Sequence, residues 1–201
     1  MKSNNNPIAR SINFFYRLLV SSYIISTFSE GIILPVYAIF VEKIGGDALS
    51  AGTAMGIFLI TQGVFTIFVH KISWSKPQQL RLLVFGWFIW TIGIASYLII
   101  SNVWMLFVTQ ILTASGNAIA DPIFEEELAD HTDQRSEEFE WGFFEGSKDV
   151  VSGLAAIVGG LVVGLYNFSL LIYLMIATAT ISFVLSIYYY KQRVRMQKLI
   201  T

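Results

Sequence analysis

Two carboxylates stand in apolar surroundings: Glu30, in FSEGIILPVYAIF, and Asp121, beside Pro122 in NAIADPIF. An ionised carboxylate near the centre of a bilayer costs roughly 2.5–3.5 kcal/mol on insertion scales. Each acid must therefore face protein or water, or carry a proton. The chemistry open to such a group is reversible binding of a proton or of a cationic solute. Their polar neighbours recur at helical spacing, and residues three or four apart share a helix face. Ser22, Ser26, Ser29, Glu30 and Tyr37 fall within about a 100° sector of one helix. Gln110, Thr113, Asn117 and Asp121 do the same on another. Two striped helices in one bundle predict a shared polar cavity. Glu30, Asp121, Asn117, Gln110, Tyr37 and Ser26 are its candidate proton-coupling or substrate residues. The competing reading of the hydroxyls is hydrogen bonding between helices, which serine and threonine commonly provide in membranes.

The elements that would hold these groups follow from composition. Of 201 residues, 55% are hydrophobic and 13% charged, about half the ~25% charge of a soluble domain. A spanning helix needs ~20 mostly apolar residues. Six runs qualify, near 14–41, 48–69, 82–100, 104–124, 150–166 and 170–190. The expected fold class is an all-α membrane protein, one six-span transmembrane domain crossing the cell membrane several times. There is no cysteine, which excludes disulfides, thiolate metal sites and a cysteine nucleophile. Only His70 and His131 supply imidazoles. A net charge of −1 points to no nucleic acid.

The connections alternate in character. Those near 43–47, 101–102 and 167–169 are tight and hold one basic residue, Lys43. The other side holds Lys2, Arg10, Arg17, Lys71, Lys76, Arg81, Arg135, Lys148, Lys191, Arg193, Arg195 and Lys198. Basic residues mark the cytoplasmic side, so both termini are expected there. Trp104 on one side, and Trp74 with Tyr188 to Tyr190 on the other, suit interfacial belts. The connection 125–149, EEELADHTDQRSEEFEWGFFEGSKD, is long and acidic. It reads as a helix continuing from the fourth span, a turn near Asp133 and a helix entering the fifth, with its charges on a solvated face.

Small residues form a separate pattern. Gly52, Gly56 and Gly63 share a face of the second span, and Ala156, Gly160 and Gly164 a face of the fifth. Small residues let helix backbones approach closely in lipid, either within this chain or between copies.

The stretch GIILPVYAIFVEKIGGDALSAG resembles the opening of drug:proton antiporters of the major facilitator superfamily. These also have a proline late in span 1, a Gly-Gly turn and a glycine opening span 2. In span 4, Leu112, Gly116 and Pro122 match the family's arginine-leucine-glycine pattern. Ala114 and Ala118 stand where glycine is usual, and Gln110 where arginine is usual. Glu127, Asp130, Arg135 and the region of Gly142 resemble the inner connection between spans 4 and 5. Gly146, Gly153, Gly159 and Gly160 resemble the antiporter motif of span 5, with Ala156 for its proline. In HKISWSKPQQLR, Ser75 falls near the family's aspartate, and Lys76 and Arg81 keep the positive charge.

The resemblance implies a secondary transporter of a small organic solute, with no cofactor and no enzymatic activity. Such transporters pair two six-span halves about an axis along the membrane normal, and these residues make one half. A parallel homodimer would rebuild the whole, span 2 of one copy packing on span 5 of the other. The substrate would then sit at the midplane and access would alternate by rocking, with or without proton coupling. The alternative is a non-transporting membrane subunit, or a half that needs a different partner. An intramembrane serine protease is a third class, since Ser115-Gly116 lies in span 4. That mechanism needs a base for the serine proton, and span 6 has no histidine.

Overall fold

The computed structural model describes residues 7–132 and 137–200, with side chains described from 14 to 132 and from 137 to 196. Lys2, Arg135, the side chains of Arg10 and Lys198, and the turn expected near Asp133 lie outside the described residues. Seven α-helices follow in order: α1 (Pro7–Gly31), α2 (Tyr37–Lys43), α3 (Ala48–Lys71), α4 (Lys76–Ser96), α5 (Val103–His131), α6 (Glu137–Leu165) and α7 (Phe168–Ile200). Short 3-10 turns, Leu34–Val36 and Tyr97–Ile99, follow α1 and α4. Among the described residues six stretches are long and apolar enough to cross a membrane; α1 and α2 together make the first. The protein is an all-α bundle with no strand among the described residues.

The break in the first span comes directly after Glu30. Proline has no amide hydrogen and its ring clashes with the turn before it, so Pro35 ends the α-helical ladder. Ile32 still donates to the Phe28 carbonyl at 3.1 Å, and Val36 then closes a tighter turn onto Ile33 at 3.1 Å. At the face opposite the termini, side chains cap the helices that restart. Asp47 accepts from the Ser50 amide at 2.8 Å, Asn102 from Met105 at 3.0 Å, and Asn167 from Leu170 at 2.9 Å. Each satisfies a backbone donor that the first turn leaves unpaired. Asp47 also accepts the Ser50 hydroxyl at 2.6 Å, and these bonds hold its carboxyl below the usual range. Gly45, at φ 84°, makes the turn before it.

The helices overrun the apolar runs read from sequence. The fifth run begins near 150, whereas α6 begins at Glu137; segment 125–149 is helical up to His131 and again from Glu137. A helix does not stop at the hydrocarbon edge. At 1.5 Å per residue, the 29 residues of α6 reach about 43 Å, against a hydrocarbon core of ~30 Å. The excess lies at the face carrying the chain termini.

Helices α1 and α5 occupy the centre. α1 packs on α6 and α7, α5 packs on α3 and α4, and α4 also packs on α7. α3 and α6 form the rim and are the least buried of the six spans. Three inter-helix contacts are closed by glycine. A methyl group on Gly116 would fall 2.5 Å from the Trp90 nitrogen and 2.8 Å from the Gly86 carbonyl oxygen. One on Gly93 would meet Thr113, and one on Gly159 would run into the Ile32 carbonyl. Serines close others: Ser29 donates to the Met175 carbonyl at 2.8 Å and Ser182 to the Ser22 carbonyl at 2.7 Å, tying α1 to α7.

Gly116→Ala is expected to lower the thermal midpoint, because overpacking against backbone costs typically ~1–3 kcal/mol. Gly142, with open space around it in α6, serves as the control; Gly142→Ala should leave the midpoint unchanged or raise it. Equal effects of the two substitutions in a detergent melt would contradict the tight α4–α5 crossing.

Candidate substrate and coupling site

Glu30 occupies the last turn of α1, where the α-helix gives way to the Pro35 break. Two donors converge on one of its oxygens. Trp90 Nε1 on α4 donates to Oε1 at 2.7 Å, and Asn117 Nδ2 on α5 donates to the same atom at 2.9 Å. Trp90 is buried against Trp87 in an edge-on ring contact and is positioned by the glycine crossing at Gly116. The second oxygen, Oε2, accepts no hydrogen bond among the described residues and is not sealed away. The carboxyl is thus anchored through one oxygen and offers the other.

Glu30 stands in the wall of two cavities. The first, about 150 Å³, is lined by Tyr37, Tyr97, Phe58, Trp90, Met55 and Gln110 among others, with Glu30 in its wall. It lies toward the face opposite the termini and is largely apolar and aromatic. Gln110 Nε2 donates to the Tyr37 hydroxyl at 2.6 Å across it. The second, about 170 Å³, is lined by Asp121, Gln62, Asn117, Ser26 and Tyr23, again with Glu30. It is polar and lies toward the termini. Gln62 Nε2 on α3 donates to Asp121 Oδ2 at 3.3 Å. Either volume exceeds what a few waters need. Among the described residues neither Glu30 nor Asp121 has an ion-pair partner. Lys148 is held by Glu145 at 2.8 Å and lies over the Phe144 ring at 5.2 Å.

Glu30, Asp121, Asn117, Gln110, Tyr37 and Ser26 therefore all line these two cavities. Ser26 uses its hydroxyl on the Tyr23 carbonyl at 2.7 Å. Ser22 and Ser29 lie on the same sequence stripe but line neither cavity; Ser22 donates to the Leu19 carbonyl of its own helix and Ser29 to the Met175 carbonyl on α7. Ser22, Ser26, Ser29 and Glu30 all precede the break, so the split is one of angle around α1; beyond the break Tyr37 is set by α2. Ser115 donates to the Ile111 carbonyl at 2.7 Å, an ordinary intrahelical bond.

Sequence reasoning missed three groups. Trp90 and Gln62, the partners of the two acids, stand on helices with no polar stripe to mark them. The third is Glu127. The reading of 125–149 as a solvated face suits Glu126 and Asp130, which pair with Lys76 at 2.9 and 2.7 Å, but not Glu127, which is 1% exposed. Tyr189 donates to its Oε2 at 2.5 Å and Arg193 Nε donates to the same oxygen at 3.3 Å. Lys76 Nζ lies 3.8 Å from Oε1, which has no hydrogen bond of its own. The signal for Glu127 is distributed over three helices, and no single stretch of sequence contains it.

Tyr189→Phe is expected to destabilise the fold by about 1–3 kcal/mol, the usual cost of leaving a buried acceptor short of a donor. Because Glu127 lies away from both cavities, transport by the surviving folded fraction should be unchanged. A thermal midpoint equal to that of the parent chain would show that the bond contributes nothing.

A family model described as Major Facilitator Superfamily matches residues 19–200 of the chain. No curated protein matches it.

Proposed function

As the chain belongs to the major facilitator superfamily, we propose that two parallel copies make one transporter, with the substrate path between them. The family consists of secondary transporters, and the chain is a multi-pass secondary membrane transporter rather than an enzyme. In the proposed arrangement both termini are cytoplasmic, in accord with the basic residues at that face. The polar cavity then opens toward the cytoplasm and the aromatic cavity toward the outside. Rocking of one copy against the other alternates access to Glu30. The observation that carries this reading is the carboxyl itself. It is held by two neutral donors through one oxygen, has no ion-pair partner among the described residues, and stands in the wall of both cavities.

The solute that suits this site is a small amphipathic organic cation, its apolar part against Tyr37, Tyr97 and Phe58 and its charge at Glu30. A proton taken by Glu30 when the solute leaves would couple the two fluxes, with Asp121 and the polar cavity as its route. The homodimer is supported by the unused small residues. Gly52, Gly56, Gly63, Gly160 and Gly164 have open space where a side chain would be, unlike Gly86, Gly116 and Gly159. They are not needed for packing within the chain. A two-fold contact of α3 on α6 would be made twice and would close. α4 and α7 would then stay outside.

Proteoliposomes of the purified chain provide the test. A pH gradient should drive uptake of a lipophilic organic cation, and Glu30→Gln should abolish this accumulation while leaving folding and dimerisation intact. Uptake that survives Glu30→Gln unchanged removes Glu30 from the mechanism. No flux from a folded, pure chain favours a subunit that needs a different partner. The absence of native cysteine gives crosslinking a clean background. Gly56→Cys in one copy and Ala156→Cys in another should crosslink in membranes, whereas single cysteines on the lipid faces of α4 or α7 should not. The reverse pattern, or a monomer in native lipid, sinks the two-copy arrangement.

A further inference from the structure

A groove of about 610 Å³ runs between α1 and α6, lined by Val20, Ser21, Ile24, Phe143, Ser147 and Val150 among others. It is closed at both ends. Toward the termini Tyr16 donates to the Glu140 carbonyl at 2.8 Å. Deeper in the bilayer the helices meet again, where a methyl group on Gly31 would lie 3.0 Å from the Ala155 side chain. No residue lines both this groove and either cavity beside Glu30. The groove also lies off the small-residue face of α6. Ser147 and Ala156 are about two and a half turns apart at 3.6 residues per turn, and so on opposite sides of the helix. The groove side continues instead as the exposed apolar stripe Val150, Leu154, Ile157 and Leu161, spaced three or four residues apart on one face. That side meets lipid.

The polar groups of the groove gather at its end near the termini, and they are unused. Ser22, Ser26, Ser29, Ser182 and Ser186 each donate to a backbone carbonyl. The Ser21 and Ser147 hydroxyls, by contrast, make no hydrogen bond among the described residues. Arg17 stands four residues before Ser21 and seven before Ile24, on the same face of α1. It is exposed and has no acidic partner among the described residues. Depth suits these groups. The first span ends at Lys43 on the opposite face. At 1.5 Å per residue, Ser21 lies roughly 33 Å from that end and Arg17 roughly 39 Å. A bilayer is ~30 Å thick across its hydrocarbon and ~40–45 Å with its headgroups. Ser21 is therefore at the hydrocarbon edge and Arg17 at the level of the phosphates.

We propose that this groove holds a phospholipid of the leaflet at the termini side. Its phosphate binds Arg17, its ester carbonyls accept from Ser21 and Ser147, and one acyl chain lies along Ile24, Val150 and Val151. The order of chemistry along the groove selects this occupant. A cation is followed by two hydroxyl donors and then by an apolar trough, which is the order of phosphate, ester and chain in a phospholipid. A free anion leaves the trough empty, and a plain hydrocarbon leaves the arginine and both hydroxyls without acceptors. The guanidinium fork suits a phosphate, to which it can donate twice. Within the trough a methyl group on Gly142 or Gly146 would meet nothing within 4 Å, so the helix wall there is bare. A lipid in this place joins α1 to α6 over the stretch where their side chains leave a gap. The proposal does not depend on the two-copy reading, because the groove lies off the face which that reading uses.

The test titrates the purified full chain, in a neutral detergent, with palmitoyl-oleoyl phosphatidylglycerol, with the matching diacylglycerol and with glycerol phosphate. The phospholipid should raise the thermal midpoint saturably and survive as one adduct per chain in native mass spectrometry. Diacylglycerol, which lacks the phosphate, and glycerol phosphate, which lacks the chains, should do neither. Arg17→Gln should lower the adduct several-fold and Arg17→Lys much less. Ser147→Leu, which fills the trough, should abolish it. Because Arg17 is exposed, Arg17→Gln should melt like the parent chain without lipid, and it keeps the test decisive if Ser147→Leu does not fold. An adduct indifferent to Arg17→Gln, or equal stabilisation by diacylglycerol, overturns the phosphate contact. An adduct that survives in folded Ser147→Leu overturns the groove as its seat. Stabilisation by glycerol phosphate to the same extent makes the site one for a free anion and overturns the lipid.

Discussion

A carboxyl group in the middle of an apolar bundle is the constraint around which this structure is arranged. Glu30 accepts the Trp90 indole and the Asn117 amide through a single oxygen. Both donors are neutral, so they can hold the group with or without its proton and leave its charge uncompensated. Holding them in place sets demands on three helices. Trp90 reaches Glu30 only because α4 and α5 meet backbone to backbone at Gly86 and Gly116. Glu30 is in register only because α1 runs unbroken to Gly31 before Pro35 ends it.

The break has a second consequence. With the ladder interrupted after Gly31, the chain presents the Ile32 backbone to α6, and Gly159 is the residue that admits it. The first span is thereby clamped on the α6 side at the level of Glu30. Toward the termini a groove lined by Ser21, Phe143, Gly146 and Val150 runs between the same two helices, and beyond it Tyr16 donates to the Glu140 carbonyl at 2.8 Å and joins them again.

Charge at the basic face is handled differently from charge at the midplane. Glu30 and Asp121 have no cationic partner among the described residues, whereas Glu127 is surrounded by Tyr189, Arg193 and Lys76. A buried charge without such partners is costly, and one with them is a structural tie. The contrast separates the two kinds of buried acid in this chain: one holds α4, α5 and α7 together, and the other stays available. It also gives Lys76 a place in the fold. Bridging Glu126 and Asp130, it fastens the start of α4 to the end of α5.

The sequence by itself determined the six spans, the acids at membrane depth and the polar faces of α1 and α5; that Pro35 ends α1 while Pro122 sits inside the continuous α5 was decided by the structure. The first three are local properties: lipid demands long apolar helices, and helical spacing assigns residues to a face. The family resemblance, too, was legible in the turn after span 1 and in Leu112, Gly116 and Pro122. What spacing cannot state is which neighbour a face meets. Gly116 and Gly164 look alike in sequence, yet one sits against the Trp90 backbone and the other has open space around it. Glu126 and Glu127 are adjacent and acidic, yet one is exposed to Lys76 and the other is sealed beneath Tyr189. Ser29 and Glu30 share a stripe, yet the serine bonds α7 and the acid turns to the cavities. Those outcomes depend on helices that lie far apart in the chain, and only their packing decided them.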